Sequence, residues 1–460
     1  MERVFLIFSI LILFIGAHVV VAEEVRPDNS VLFEDEFIEN LDIDLEDDIE
    51  GDFLEMPGWE SRGGGKVLVN VDSFGAVGDG ISDDTQAFVS AWEKVCSTQK
   101  SVLLVPERKI YLVNATRFKG PCADKLIVRI DGTIVAPDEP NNWDKQNPRI
   151  WLNFSKLKRI SFQGKGVIDG SGQKWWDSSC KRNKTNPCRE APSALTIDTS
   201  SAVNVKGLTI QNGQQMNFVI SHCDNVRITN VKVSAPGTSP NTDGIHITKS
   251  TNVGVLNCKI GTGDDCISIV NGSTGIKMKN IYCGPGHGIS IGSLGKDNST
   301  GVVSGVVVNT AFLKGTTNGL RIKTWQGGSG FVRAVRYENV RMEDVANPII
   351  IDQFYCDSPK SCKNQTSAVE ISQIVYRNIS GTSKTAKAMK FACSDTVPCK
   401  NIVLNNVNLE REDGTAETYC NSAMGFHYGM VRPSADCLAD KILETSLIKS
   451  YDKDPIHTEL

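Results

Sequence analysis

Four short motifs carry side chains able to do chemistry: Asn241-Thr-Asp243, Gly263-Asp264-Asp265, Gly286-His287-Gly288 and Arg321-Ile-Lys323. Three carboxyls brought into one groove cannot all ionise easily, so at least one should keep its proton beside others able to accept one. Cleavage of a glycosidic bond needs that division between acid and base. His287 can hydrogen-bond a carboxyl and help set its protonation. Arg321 and Lys323 offer cations to an anionic substrate, the arginine in bidentate fashion. Singly, each has a plainer reading: a capped turn for Asp-Asp, a turn residue for His between glycines, a solvated strand face for Arg-Ile-Lys. Their meaning depends on what brings them together.

A repeat does so. The pattern apolar, x, apolar, x, Asn, apolar, x, apolar runs through Val226–Val233, Val253–Ile260, Ile276–Cys283, Val335–Met342 and Ile402–Leu409, with Asn at 230, 257, 280, 339 and 406. Weaker copies start at Val203, with Gly207 in the Asn slot, and at Ile374, with Gly381 in the last apolar slot. Period-two alternation means strands, and a short strand repeated at this interval signals coils stacked into a solenoid. A propeller needs more strands per repeat, and a sandwich would not hold this register. The expected fold is all-β, a right-handed parallel β-helix, with the asparagines stacked in a ladder at a bend. A second strand recurs in the same coils at 244–247, 266–269, 288–291, 319–322 and 348–351. Its alignment puts Asp243, Asp265 and His287 in one column, with rungs about 4.8 Å apart. Arg321 shares a slot with His246, Ser268 and Ser290, and Lys323 shares the strand face of Arg321. Asp264 is off the column, and Gly263 could permit the bend that turns both aspartates to the cleft. Upstream, Phe74–Phe88 leads into a helix that Asp83 or Asp84 can cap, with Ala87, Val89, Ala91, Trp92 and Val95 as its apolar face. It is expected to cover the open end of the solenoid.

The 460-residue chain carries a formal charge of −5, which hides a split. Residues 1–60 hold 17 acidic and two basic side chains, whereas the remainder holds 47 Lys and Arg against 37 Asp and Glu, a net of +10. The larger part should attract an acidic partner. Residues 1–22 read as a cleavable signal peptide and 23–65 as an acidic pro-segment, disordered or loosely helical, either a solvated tail or an occupant of the basic cleft. Residues 66–460 form the expected catalytic domain. Fourteen cysteines and seven Asn-x-Ser/Thr sequons agree with secretion. Cys356/Cys362, Cys393/Cys399, Cys420/Cys437 and Cys266/Cys283 are plausible bridges, while Cys223 and Cys258 fit unpaired core thiols. No zinc-site spacing, EF-hand order or nucleic-acid-binding pattern occurs, and no later segment is apolar enough for a bilayer span.

In order and spacing, the four motifs resemble those of the polygalacturonases, glycoside hydrolase family 28, over roughly residues 66–440, and the plant enzymes above all. The resemblance implies an inverting hydrolase of α-1,4-linked galacturonan in pectin, secreted to the plant cell wall, endo-acting, and without cofactor or metal; a monomer is expected because a long solenoid buries its own core. By motif matching, Asp264 would be the general acid, and Asp243 and Asp265 would activate the attacking water. His287 would support the protonation of Asp264. Asn241, Arg321, Lys323 and Tyr355 would bind substrate. The one-coil spacing is shorter than the roughly 6.5–9.5 Å between carboxyls in inverting enzymes, although that spacing is measured along the backbone. Alternatives are an exo-acting enzyme, a rhamnogalacturonan or xylogalacturonan hydrolase, a calcium-dependent pectate lyase, and an inactive wall-binding lectin.

Overall fold

The computed structural model describes residues 66–358 and 361–438. The expected signal peptide and acidic pro-segment lie outside the described residues. The domain is a right-handed parallel β-helix, with one sheet of 11 strands and another of 20 among the described residues. Period-two sequence explains the build. Val203, Val226, Val253, Ile276, Val335, Ile374 and Ile402 all fall in one register column and are fully buried. The alternate residues face outward.

The same column contains Val306, a copy that the sequence pattern hides because Thr310 replaces the slot asparagine. That slot turns the chain through the left-handed region. Asn230, Asn257, Asn280, Asn339, Asn378 and Asn406 have φ between 52° and 56°, Gly207 has φ 78° and Thr310 has φ 64°. Glycine and asparagine recur there because they tolerate this conformation at least cost. The amides do stack: Asn280 donates to Asn257 at 2.9 Å, and Asn378 donates to Asn339 at 3.1 Å.

Helix α1 (Thr85–Cys96) forms where the sequence places it. It buries Ala87, Phe88, Ala91, Trp92 and Val95, so Phe88 takes the place expected of Val89. Trp92 meets Phe118 and Phe154 at ring distances of 5.3 and 5.4 Å. The Asp84 carboxylate does not cap the helix. It accepts from the Val77 and Gly78 amides and holds the preceding turn, while Asp83 accepts from the Thr85 amide at 3.0 Å.

Six disulfides form among the described residues: the four anticipated, plus Cys96–Cys122 and Cys180–Cys188. Cys223 and Cys258 are buried free thiols. No helix among the described residues is long and apolar enough to cross a membrane.

Four neighbouring strands of the 11-stranded sheet follow or carry the motifs, β1 (Ile245–Thr248), β2 (Ile267–Ile269), β3 (Ile289–Leu294) and β4 (Asn318–Thr324), and the next, β5 (Asn347–Asp352), leads to Tyr355. Their inward isoleucines and leucines are fully buried and fix which residues face out.

Candidate active site

The register is the one the repeat demands. His246 pairs with Ser268, Ser268 with Ser290 and Ser290 with Arg321, on the outward face of β1 to β4. Asp243 and Asp265 precede β1 and β2 by the same offset. All of Asn241, Asp243, Asp264, Asp265, His287, Arg321, Lys323 and Tyr355 line one pocket of about 500 Å³. His246, Lys181 and Asp357 line it too.

Asp264 and Asp265 both reach this pocket because they sit in a bend before β2 and not within the strand. Gly263 permits the bend by close approach: a Cβ there would lie 2.0 Å from the Ser239 carbonyl oxygen. Its backbone does not enter the left-handed region, which corrects the expectation of special backbone freedom.

Asp264 Oδ1 accepts from the Asp265 amide at 2.8 Å and faces His287 Nδ1 at 3.0 Å. The His287 amide also donates to the Asp264 carbonyl at 2.8 Å. His287 therefore shares the column of Asp243 and Asp265 in register, yet its ring serves Asp264. Asn241 donates to the other Asp264 oxygen at a long 3.4 Å.

Asp265 is engaged on every side. Lys323 Nζ donates to Oδ2 at 2.8 Å, and Arg321 Nη2 and the Ser290 hydroxyl donate to Oδ1 at 2.8 and 2.7 Å. Arg321 Nε also donates to Ser290 Oγ at 3.0 Å. The two cations expected to await substrate thus already hold an aspartate, because both project from β4, two rungs along from its own. Lys323 Nζ also lies over the Tyr355 ring, 5.5 Å from its centroid. Trp325 braces that ring edge-on at 5.5 Å. Burial, and secondarily the charge of Asp357, push the Tyr355 hydroxyl up to about 12.

Asp243 accepts from Ser268 Oγ at 2.6 Å and lies 3.6 Å from His246 Nδ1, which itself meets Ser268 Oγ at 2.7 Å. Sequence reasoning placed His246 in the Arg321 slot but gave it no part in the site. Its outward position three residues after Asp243 was the available signal.

Two of the carboxyls are driven apart in proton affinity. Burial raises the pKa of Asp243 above the ordinary carboxyl range, and the charges of Asp264 and Asp265 reinforce this against His246. Asp264 is also opposed by burial, but His287 and then Lys323 bring it below that range. A raised carboxyl costs stability as pH climbs from its unfolded value through its folded one. Asp243→Asn should therefore raise Tm at pH 7, and the gain should vanish below about pH 4, where the unfolded carboxyl is protonated too. Thermal melts across pH 3–8 read this directly; a variant less stable than wild type at pH 7 would contradict the burial penalty.

Ligand atoms of Asp264, Asp265 and His287 lie within 4.8 Å of one another, a spacing that could admit a metal ion. The site does not suit one, because Lys323 and Arg321 already occupy both oxygens of Asp265 and would repel a cation.

The family model for glycosyl hydrolases family 28 matches residues 96–428. A polygalacturonase of Persea americana is 49% identical over 76% of this chain and 75% of its own length. One of Chamaecyparis obtusa is 47% identical over 86% and 77%. Among solved structures, the endo-xylogalacturonan hydrolase of Aspergillus tubingensis superposes with a TM-score of 0.69 at 21% identity, covering 79% of this chain and all of that one. The polygalacturonase from Erwinia carotovora ssp. carotovora gives 0.64 at 22% identity, over 81% of this chain and all of its own. Two such structures share the solenoid, and the plant relatives share nearly half its residues over three quarters or more of this chain; the chain belongs to glycosyl hydrolases family 28.

Proposed function

We propose that this protein is a polygalacturonase that cleaves α-1,4-galacturonosyl linkages within demethylated pectin, with inversion and by endo attack. The observation that carries this reading is the meeting of three aspartates with Arg321 and Lys323 on the rim of adjacent rungs in one open pocket. The plant relatives named polygalacturonase support the substrate class. So does the excess positive charge of residues 61–460, which suits a polyanion. Secretion to the cell wall is part of the proposal and rests on the signal-like residues 1–22, the disulfides and the sequons.

Asp264 gives its proton to the leaving oxygen, with His287 fixed against it. A water is deprotonated on the opposite face of the sugar. Within the pair Asp243 and Asp265, Asp243 has the stronger claim as base, since both oxygens of Asp265 are engaged. Asp265 then serves by holding Arg321 and Lys323 in place for a galacturonate carboxylate, and Tyr355 walls the sugar site. Asp264 and Asp265 stand too close to have a water between them, because inverting carboxyls lie roughly 6.5–9.5 Å apart.

Incubation with polygalacturonate in EDTA, followed by sizing of products, tests the reading. A broad ladder of saturated oligomers is expected. Release of monomer alone would replace endo by exo action. Unsaturated products that absorb in the ultraviolet would mark a lyase, and no cleavage would refute the function outright.

A further inference from the structure

Lys181 and Asp357 reach this pocket from chain segments that begin far apart. Lys181 lies in the segment that leads into the strand Ser193–Asp198, and Asp357 in the segment that leaves β5. The strands between them are all parallel. Chain entering these strands therefore stands along one edge of the sheet, and chain leaving them stands along the other. The two parent strands are also six rungs apart, about 29 Å at some 4.8 Å per rung. Yet Lys181 Nζ donates to the Asp357 carboxylate at 2.6 and 2.7 Å.

Both side chains line the pocket that holds Asp243, Asp265, His287 and Arg321, so the bond joins the segments from the two edges at that pocket. A disulfide stands beside each partner, Cys180–Cys188 next to Lys181 and Cys356–Cys362 next to Asp357. The side chains themselves are half exposed, at 46% and 51%, and a solvated ion pair of this kind holds weakly. A polymer that fills this pocket competes with the bond for the same space, and an approaching polyanion meets Asp357 as a like charge.

We propose that Lys181 and Asp357 are a latch across the cleft that the substrate opens by exchange, one galacturonate carboxylate replacing Asp357 on the Lys181 ammonium. This inference rests on the polygalacturonan reading above and deepens it. Lys181 becomes a substrate-binding residue supplied from a distant coil, and Asp357 its built-in competitor. Endo attack then depends on opening, which the weakness of the pair permits and the acidity of the polymer drives. A neutral or heavily esterified chain lacks the carboxylate for exchange and should enter poorly.

Steady-state hydrolysis of polygalacturonate by Lys181→Gln, Asp357→Asn and the double variant decides the matter, with thermal unfolding as a check on folding. Asp357→Asn should lower KM several-fold, Lys181→Gln should raise it several-fold, and the double variant should follow Lys181→Gln. A bond that merely held the loops would shift both single variants in the same direction, since each breaks it, and that result, or no shift in either, overturns the latch. Should Lys181→Gln fail to fold, Asp357→Asn alone decides: an unchanged or raised KM overturns the proposal. Wild-type protein that does not cleave polygalacturonate overturns the functional reading, and the latch with it. Cleavage with an unmoved Asp357→Asn overturns the latch only.

Discussion

Asp264→Asn is expected to lose turnover of polygalacturonate by about 10²–10⁴-fold, the usual range for removal of a positioned general acid, while still binding the polymer. Asparagine preserves the shape of the side chain and can accept from the Asp265 amide through its carbonyl oxygen. Only the transferable proton is lost. The free site holds Asp264 below the ordinary carboxyl range despite its burial, because His287 and Lys323 favour the carboxylate. An acid in that state is poorly protonated until substrate arrives. A galacturonate carboxylate beside Lys323 offsets the pull of that cation, and a bound sugar excludes water, so both changes raise the pKa of Asp264. A higher pKa extends the protonated form to higher pH. The alkaline limb of kcat should therefore lie above that of kcat/KM, since the first reports the complex and the second the free protein. Polymer binding by the variant can be followed by its retardation in a gel containing polygalacturonate. Near-wild-type kcat for Asp264→Asn would remove it as the acid, and coincident alkaline limbs would remove the substrate's part in setting its proton.

The solenoid was legible because its code is local and repeated. Alternating apolar residues fix the inward face, and an asparagine or glycine marks each left-handed bend. Val306 escaped notice for a physical reason: Thr310 adopts the same backbone at φ 64°, at a cost that one rung can absorb. The register of Asp243, Asp265, His287 and Arg321 followed from the same repeat, since stacked coils convert sequence offsets into columns. Side-chain partnerships did not follow. Slot assignment cannot tell that the His287 ring turns to Asp264, or that Lys323 and Arg321 fold back on Asp265, because these choices belong to rotamers and to charges two rungs away. The least legible feature was the Lys181–Asp357 contact, which is made by chain outside the repeat and across a separation of 176 residues. Cys180–Cys188 went unseen with it, as it lies in the same irregular segment.

The Asp265 side chain is 2% exposed between Lys323 at 9% and Arg321 at 13%. Asp265→Ala would leave a buried and a part-buried cation facing each other without their counter-charge. Removing one member of a buried ionic cluster costs about 3–5 kcal/mol, so the variant should show the largest loss of stability of any single substitution in the pocket. Activity should fall with it, because Arg321 and Lys323 lose what orients them, and Lys323 is left to draw Asp264 still lower. The cluster is not thereby a net source of stability. Three ions taken out of water carry a desolvation cost that their mutual attraction need not exceed, and apolar side chains of similar volume often replace such clusters without loss. Asp265→Leu combined with Arg321→Met and Lys323→Met should recover most of the stability lost in Asp265→Ala while remaining inactive on polygalacturonate. Urea unfolding of the single and triple variants, read beside turnover, separates the two roles. If the triple variant is as unstable as Asp265→Ala, the cluster holds the rungs together; recovery without activity would mean that these charges are kept in the solenoid for the substrate they bind.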